Sequence, residues 1–126
     1  MKKLLVLLIS LMISFNSFGE WSVVSKNEDA EYYVDFDKVS KNNEYVYYWL
    51  LTNFPFPRYA EGKSSLELYE VNCNPPIKQR RKAFYFYNST MGKGEMNPVE
   101  AANTFTGPWE YNIPGSVRER LLEAVC

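Results

Sequence analysis

Two acidic side chains, Asp35 and Asp37, lie two residues apart at the end of a predicted strand. Residues at this spacing share one face of a strand, and paired carboxylates can transfer protons or bind a hard cation. An aspartate at the end of a strand more often caps the turn that follows. We predict the capping role, because no acid-rich loop elsewhere in the sequence completes a cation site.

The basic cluster at residues 78–82 is the best candidate for a binding surface. On a strand, alternate basic residues of this cluster would share one face and lead into Phe84 and Phe86. Basic side chains beside aromatic rings can hold an acidic protein segment or a polysaccharide. The alternative, and the more common role, is a solvated strand whose lysines protect a sheet edge from aggregation. The candidate partner-binding residues are Lys78, Arg80, Arg81 and Lys82.

A stiff aromatic segment, Phe54-Pro55-Phe56-Pro57-Arg58-Tyr59, supplies a second candidate surface. Proline lacks the backbone donor and fixes φ, so the segment is predicted to be a loop rather than part of a central strand. An exposed loop of this composition would anchor a partner, whereas a loop folded back would close over the core. The candidate partner-binding residues here are Phe54, Phe56 and Arg58.

The residue types do not indicate catalysis. The sequence has no histidine and therefore lacks the commonest general base and the commonest metal ligand. It has no Gly-x-Ser-x-Gly segment, and no spacing of serine and lysine suggests a nucleophile with its base. We predict that the protein is not an enzyme and that it uses no metal or other cofactor.

The first nineteen residues have the pattern of a cleaved signal peptide. A pair of lysines precedes an apolar run over residues 4–13, and small residues occupy the −3 and −1 positions before Glu20. A retained membrane anchor is the alternative, but this run is short for spanning a bilayer. We predict a single mature domain at residues 20–126, exported to the periplasm, the cell surface or the medium. No cysteine lies near the cleavage point, so the sequence does not indicate a lipid anchor.

Length and composition indicate one folded domain. Of the 126 residues, 46% are hydrophobic and 17% aromatic, which is enough for a packed core and favours strands. The net charge of −1 becomes −3 once the two lysines of the signal peptide are removed. A mildly acidic domain lacks the positive field that nucleic-acid binding needs, so we predict no nucleic-acid partner.

Two cysteines, Cys73 and Cys126, remain in the mature domain. In an exported protein such a pair is expected to form a disulfide. A redox pair and a metal-binding pair are the alternatives, and neither is favoured, because the cysteines lie far apart in sequence and no histidine accompanies them. The bond would close a loop of about fifty residues and stabilise the fold by about 4 kcal/mol.

The elements that must position these residues are mostly strands. The longest candidate, residues 44–54, is apolar on both faces, which is typical of a central strand that is covered on both sides. A dimer partner or a ligand could also cover one face. A capping box formed by Ser116 and Glu119 begins a C-terminal helix. Its buried stripe is predicted to comprise Val117, Leu121, Ala124 and Val125.

The predicted fold class is α+β, with an antiparallel sheet of about five to six strands and a C-terminal helix packed on one face. The remaining predicted elements are strands at residues 21–25, 32–36, 64–72, 78–88 and 109–113, a helical turn at 37–40 and a short helix at 97–102.

The order of landmarks along residues 20–126 resembles the surface-adhesin protein E family of small exported bacterial proteins. The landmarks are Trp21, Tyr33-Val34-Asp35, Val39, Trp49, Ser64-Ser65, Glu70-Val71-Asn72-Cys73, Arg80-Arg81, Trp109, Pro114-Gly115-Ser116 and Val125-Cys126. The resemblance implies an antiparallel sheet with a C-terminal helix and this disulfide, and a role in surface adhesion. It implies no catalytic residues.

These features predict an exported, non-enzymatic binding module of the bacterial envelope, adhesin-like, that recognises a protein or glycan partner. The alternative is a periplasmic inhibitor or immunity-type protein that binds an enzyme or a toxin, since small domains closed by a disulfide suit that role too. The sequence leaves open whether the protein forms a homodimer.

Overall fold

The computed structural model describes residues 20–58, 62–96 and 106–126. The predicted signal peptide, the predicted helix at 97–102 and Tyr59 lie outside these residues. Within the described part, seven antiparallel strands form one sheet, and a helix follows at the C terminus. The elements are β1 Ser22–Lys26, β2 Glu31–Val34, β3 Ser40–Asn42, β4 Tyr45–Arg58, β5 Gly62–Asn72, β6 Lys78–Tyr87, β7 Glu110–Tyr111 and α1 Val117–Val125.

The strand order is β1-β2-β4-β5-β6-β7, with β3 also pairing with β4. The predicted antiparallel sheet with a C-terminal helix is confirmed, although the sheet has seven strands rather than five or six. The additional strand is β3, whose three residues are all exposed. An exposed strand of this length shows no alternation of apolar and polar residues, so its sequence gives no strand signal.

The pairing of β4 with β5 forms the centre of the sheet. Their register is unbroken from Tyr45 opposite Asn72 to Asn53 opposite Ser64. Because successive side chains point to opposite faces, β4 contributes apolar and aromatic residues to both. We call the side on which α1 packs the helix face; it carries Val34, Tyr48, Leu50, Tyr69 and Val71. The opposite side is the far face; it carries Tyr47, Trp49, Leu68, Glu70 and Tyr85.

Helix α1 is held to the helix face by packing and by a covalent bond. The Oγ atom of Ser116 accepts a hydrogen bond from the backbone N–H of Glu119 at 3.1 Å, as the capping box predicts. Leu121 and Leu122 are buried in the core cluster. The predicted stripe is therefore partly wrong, since Leu122 faces the core whereas Ala124 is exposed.

The predicted disulfide between Cys73 and Cys126 is confirmed, with a Cα–Cα distance of 5.7 Å. It joins the chain just after β5 to the chain just after α1, so the helix is linked to the central part of the sheet.

The far face is closed at one end by the short helical turn at Thr90–Gly92. Leu51 is completely buried there, and a Cβ atom added to Gly92 would lie 3.4 Å from its Cδ1 atom. Gly92 has a φ of 66°, a conformation that glycine adopts without strain. Asn53 fixes this turn by accepting a hydrogen bond from the backbone N–H of Met91 at 2.7 Å. No helix in the described residues is both long and apolar enough to cross a membrane.

Candidate functional site

A bulge in β6 determines where the basic cluster projects. Tyr69 pairs with Arg81 and Leu68 pairs with Ala83, which leaves Lys82 as the extra residue. Because directly opposed residues share a face, Arg81 lies on the helix face and Ala83 on the far face. The bulge reverses the alternation that an uninterrupted strand would have.

The predicted continuous face from the basic residues into Phe84 and Phe86 is therefore wrong. Lys78 and Arg80 lie on the far face, whose next ring in β6 is Tyr85. Phe84 and Phe86 lie on the helix face with Arg81, whose guanidinium carbon lies 4.3 Å from the centre of the Phe84 ring. The structure thus separates the four predicted basic residues between the two faces.

Arg80 is held on the far face by a buried carboxylate. Its Nε atom lies 2.5 Å from Oε1 of Glu70, which is only 4% exposed, and the hydroxyl of Tyr47 donates to Oε2 at 2.5 Å. Burial by itself raises the pKa of Glu70, but the hydrogen bonds from Tyr47 and Arg80 and the charge of Arg80 outweigh it and lower the pKa below its ordinary value. The carboxylate of Glu70 is therefore ionised, with Arg80 bound to one of its oxygens and Tyr47 to the other.

Trp109 lies across the end of the far face. Its ring is 4.2 Å from the guanidinium carbon of Arg80 and 4.6 Å from the Nζ atom of Lys78. The ring of Tyr45 lies 6.0 Å from it at an angle of 31°. On the other side, Lys78 lies 5.9 Å from the ring of Tyr111, which is 54% exposed. Cations of β6 thus lie among rings from β4, from β7 and from the residue that precedes β7.

We call this group of side chains the basic–aromatic surface. It consists of Tyr45, Tyr47, Glu70, Lys78, Arg80, Trp109 and Tyr111. Only Lys78 and Arg80 were among the predicted binding residues. Trp109 and Tyr111 could have been found from the alternation of large apolar residues in the predicted last strand. The Glu70–Arg80 contact depends on the register of β5 with β6, which the sequence does not indicate.

Lys82, the bulge residue, is half-buried, and its charge contributes to lowering the pKa of Glu70. Beyond it on the far face, the rings of Trp49 and Tyr85 form a second tilted pair, 6.5 Å apart at 30°. Among the described residues, no carboxylate lies within ion-pair distance of Lys78 or Lys82. Within the described part of the chain, Lys78 therefore has no ion-pair partner, whereas Lys82 acts on Glu70 through its charge without a direct contact.

Arg81 has a structural environment on the helix face. Its Nη1 atom lies 3.5 Å from Oε2 of Glu67, and the hydroxyl of Tyr69 donates to the same oxygen at 2.7 Å. Burial nevertheless raises the pKa of Glu67, because the hydrogen bonds and the charge of Arg81 only partly compensate for the loss of solvent. The positive charge of Arg81 therefore offsets the negative charge of the Glu67 carboxylate.

The predicted loop is wrong for residues 54–58, which form the end of β4. The register shifts between Asn53 and Arg58, and an interruption of this kind accommodates prolines, which cannot donate to a regular ladder. Phe54 packs 6.4 Å from Phe86, and Phe54 and Pro55 line a cavity of about 410 Å³. The side chains of Phe56 and Arg58 are not described, so their predicted roles remain predictions.

Asp35 has the predicted capping role. It is 2% exposed, and its Oδ1 atom accepts a hydrogen bond from the backbone N–H of Asp37 at 3.1 Å, at the start of the helical turn Phe36–Lys38. In the described part of the chain, no group of three or more histidine, cysteine, aspartate or glutamate residues is arranged to hold a metal ion.

A family model described as surface-adhesin protein E matches residues 21–126. No curated protein sequence matches the chain at a significant level. Among solved structures, that of Haemophilus influenzae protein E aligns with a TM-score of 0.63 and 17% identity over 84% of this chain and 83% of that one. A second crystal form of that protein gives 0.65 and 16% over 84% and 86%. Protein E from non-typeable Haemophilus influenzae gives 0.58 and 14% over 82% and 72%. These similarities show a shared fold.

Proposed function

The chain belongs to the surface-adhesin protein E family, and we propose that it is an exported, non-enzymatic binding module that acts at the bacterial surface by attaching to a partner on another surface. Membership of the family supports a role in adhesion. The partner itself must be inferred from the surface that this chain presents.

The observation that carries the proposal is the unmatched charge of the basic–aromatic surface. Glu70 is buried and pairs with Arg80, so this carboxylate neutralises Arg80 and leaves the charge of Lys78 over. Among the residues that the structure describes, Lys78 contacts rings rather than carboxylates. Tyr, Trp and Arg side chains are enriched where proteins bind their partners, and a cation held over aromatic rings is a recurrent contact. A merely solvated strand would not need the rings of Trp109 and Tyr45 packed around its cations.

Arg81 and Phe54 are less suited to partner contact than the sequence indicates. Arg81 neutralises Glu67, and Phe54 packs against Phe86. The contacts that we propose are therefore Lys78, Trp109 and Tyr111, with Lys82 beside them.

Protease accessibility tests the location that an adhesin requires. The full chain, tagged near an exposed turn such as Asn27–Asp29, is expressed in bacteria, and external protease is added to intact cells and to cells whose outer membrane has been opened. A periplasmic marker protein serves as the control for membrane integrity. We expect cleavage on intact cells.

Protection on intact cells, with cleavage only after the outer membrane is opened, would contradict the surface role. That result would favour a periplasmic inhibitor or immunity-type protein and would direct the search for a partner to the enzymes and toxins of that compartment.

A further inference from the structure

We propose that the far face binds a polyanionic glycan, that is, a polysaccharide with repeating sulfated or carboxylated sugars. The inference rests on the proposed binding function and assigns its partner class. The contact area comprises the basic–aromatic surface, Lys82 and the Trp49–Tyr85 ring pair.

The charge of this face selects an anion. Lys78, Arg80 and Lys82 contribute three positive charges and Glu70, which pairs with Arg80, contributes one negative charge, so these four residues have a net charge of +2. The whole chain is mildly acidic, so this local excess is not a general property of the surface. A positive face on an acidic domain attracts an anionic partner to one place and repels it elsewhere.

The rings of this face favour a sugar over a peptide side chain. The ring planes of Tyr45 and Trp109 are inclined at 31° and those of Trp49 and Tyr85 at 30°, and all four side chains are half-buried, so each pair offers a partly exposed aromatic surface. The apolar C–H face of a pyranose ring packs against such a surface. Peptide side chains that anchor a complex need a pocket. Three cavities of the molecule are lined by other residues, near the disulfide, near Phe54 and near Arg81.

The arrangement repeats along the strands, as a polymer requires. Tyr45 and Trp49 are four residues apart on β4, which places the two ring pairs about 13 Å apart by the rise per residue of a strand. Lys78 and Lys82 have the same sequence separation on β6. Two ring pairs thus lie along one face, the first of them with Lys78 beside it, and a polymer with a repeating unit can contact both pairs.

The experiment measures binding of the purified protein to immobilised heparin, a strongly sulfated probe, by surface plasmon resonance at several salt concentrations. Desulfated heparin and polyglutamate are the comparison probes. The test variant is Lys78→Ala with Lys82→Ala. Its control is Lys41→Ala with Lys63→Ala, which removes two exposed lysines from other parts of the sheet and changes the net charge equally.

We expect the wild-type protein to bind heparin with an affinity that falls as salt increases. The test variant should bind roughly tenfold more weakly, and the control should change by about twofold or less. Tyr111→Ala, at an exposed ring, should also weaken binding without the loss of a charge. Weak binding of desulfated heparin and of polyglutamate would support recognition of a sulfated polymer.

Three results would overturn the inference: no binding of heparin, an equal loss in both double variants, or equal affinity for polyglutamate, which would indicate an acidic protein partner. None of them would contradict the binding function itself, because surface exposure of the protein is tested separately. Protection from external protease would contradict the binding function whatever the heparin result.

Discussion

Two glutamate–arginine pairs lie on opposite faces of β5 and β6, and they are held in different ways. On the helix face, Glu67 has Arg81 at 3.5 Å, and burial dominates, so the pKa of the carboxyl is raised. On the far face, Glu70 accepts hydrogen bonds from Arg80 and Tyr47, each at 2.5 Å, and its pKa is lowered. Both carboxylates are withdrawn from solvent, yet the pKa values of their carboxyl groups shift in opposite directions.

The difference shows that local hydrogen bonding, and not burial alone, decides which charge is maintained. Glu70 holds Arg80 rigidly under the ring of Trp109, and Lys78 lies beside that ring without a carboxylate in the described residues. The helix face uses its polar groups to stabilise the core. The far face uses them to position an aromatic and cationic surface. Predictions that separate stability from binding therefore test the comparison.

The largest expected effect lies on the helix face, where the disulfide links α1 to the sheet. Replacing both cysteines, Cys73→Ala with Cys126→Ala, should lower the free energy of unfolding by about 4 kcal/mol. The two cysteines are 53 residues apart in sequence, and without the disulfide the unfolded chain regains the conformational entropy that closing this loop removes. Urea unfolding followed by circular dichroism measures the change. Intact mass of the unmodified protein, lower by two hydrogens than the reduced form, is the control that the bond is present. Equal stability of the two proteins would contradict the prediction.

The next effect compares an apolar side chain of each face. Leu122 is 1% exposed on the side of α1 that packs against the sheet, so Leu122→Ala should cost about 3 kcal/mol in unfolding free energy through lost burial and the cavity left behind. Tyr111 is 54% exposed on the far face, and Tyr111→Ala should change stability by less than about 0.5 kcal/mol. Comparable losses in both variants would show that the far face also supports the core.

The elements of the fold were largely predictable because each depends on local sequence. The capping box at Ser116 and the apolar run of β4 are local signals, and both elements are present. β3 was missed because an exposed three-residue strand depends on its partner β4. The extension of β4 through Pro55 was missed because proline usually ends a strand, and only the tertiary register shift accommodates it here.

The candidate site was predictable only in part, for a related reason. The basic residues are conspicuous in sequence, but the bulge at Lys82 that divides them between two faces is a property of the β5–β6 pairing. Trp109 joins Lys78 and Arg80 only when β7 pairs with the first residues of β6. Contacts between residues that are far apart in sequence depend on which residues of two strands are paired. The residues around Lys82 and Trp109 do not by themselves show that pairing.

The pKa shifts of Glu70 and Glu67 predict opposite changes of stability with pH. The lowered pKa of Glu70 means that its contribution to stability is present above the ordinary pKa of glutamate and is lost as the pH falls through the folded-state value. The raised pKa of Glu67 means that its contribution is present below the ordinary pKa and is lost as the pH rises through the folded-state value. Glu70→Gln should therefore destabilise at pH 7, by about 2 kcal/mol, and progressively less toward pH 3.

Glu67→Gln should show the reverse trend, with its best stability relative to the wild-type protein at pH 7. Urea unfolding at a series of pH values measures both variants under the same conditions, so each serves as the control for the other. If the two stability differences change with pH in the same direction, the distinction between the faces is wrong.

The last expected effect, which is small, concerns Lys78 and separates a binding residue from a structural one. Lys78→Ala removes a cation that lies 4.6 Å from the Trp109 ring, a contact worth about 0.5–1 kcal/mol in an exposed site. Arg80 stays over the ring, held by Glu70, so the ring should keep its position and the free energy of unfolding should fall by no more than that amount. Lys63→Ala, at an exposed lysine of β5 that is not part of the far face, is the control and should leave stability unchanged. A loss of several kcal/mol on replacing Lys78 would mean that its charge supports the fold, and the far face would then resemble the helix face. A small loss of stability would show that the charge of Lys78 does not support the fold, so a structural role would not explain its position between the rings of Trp109 and Tyr111.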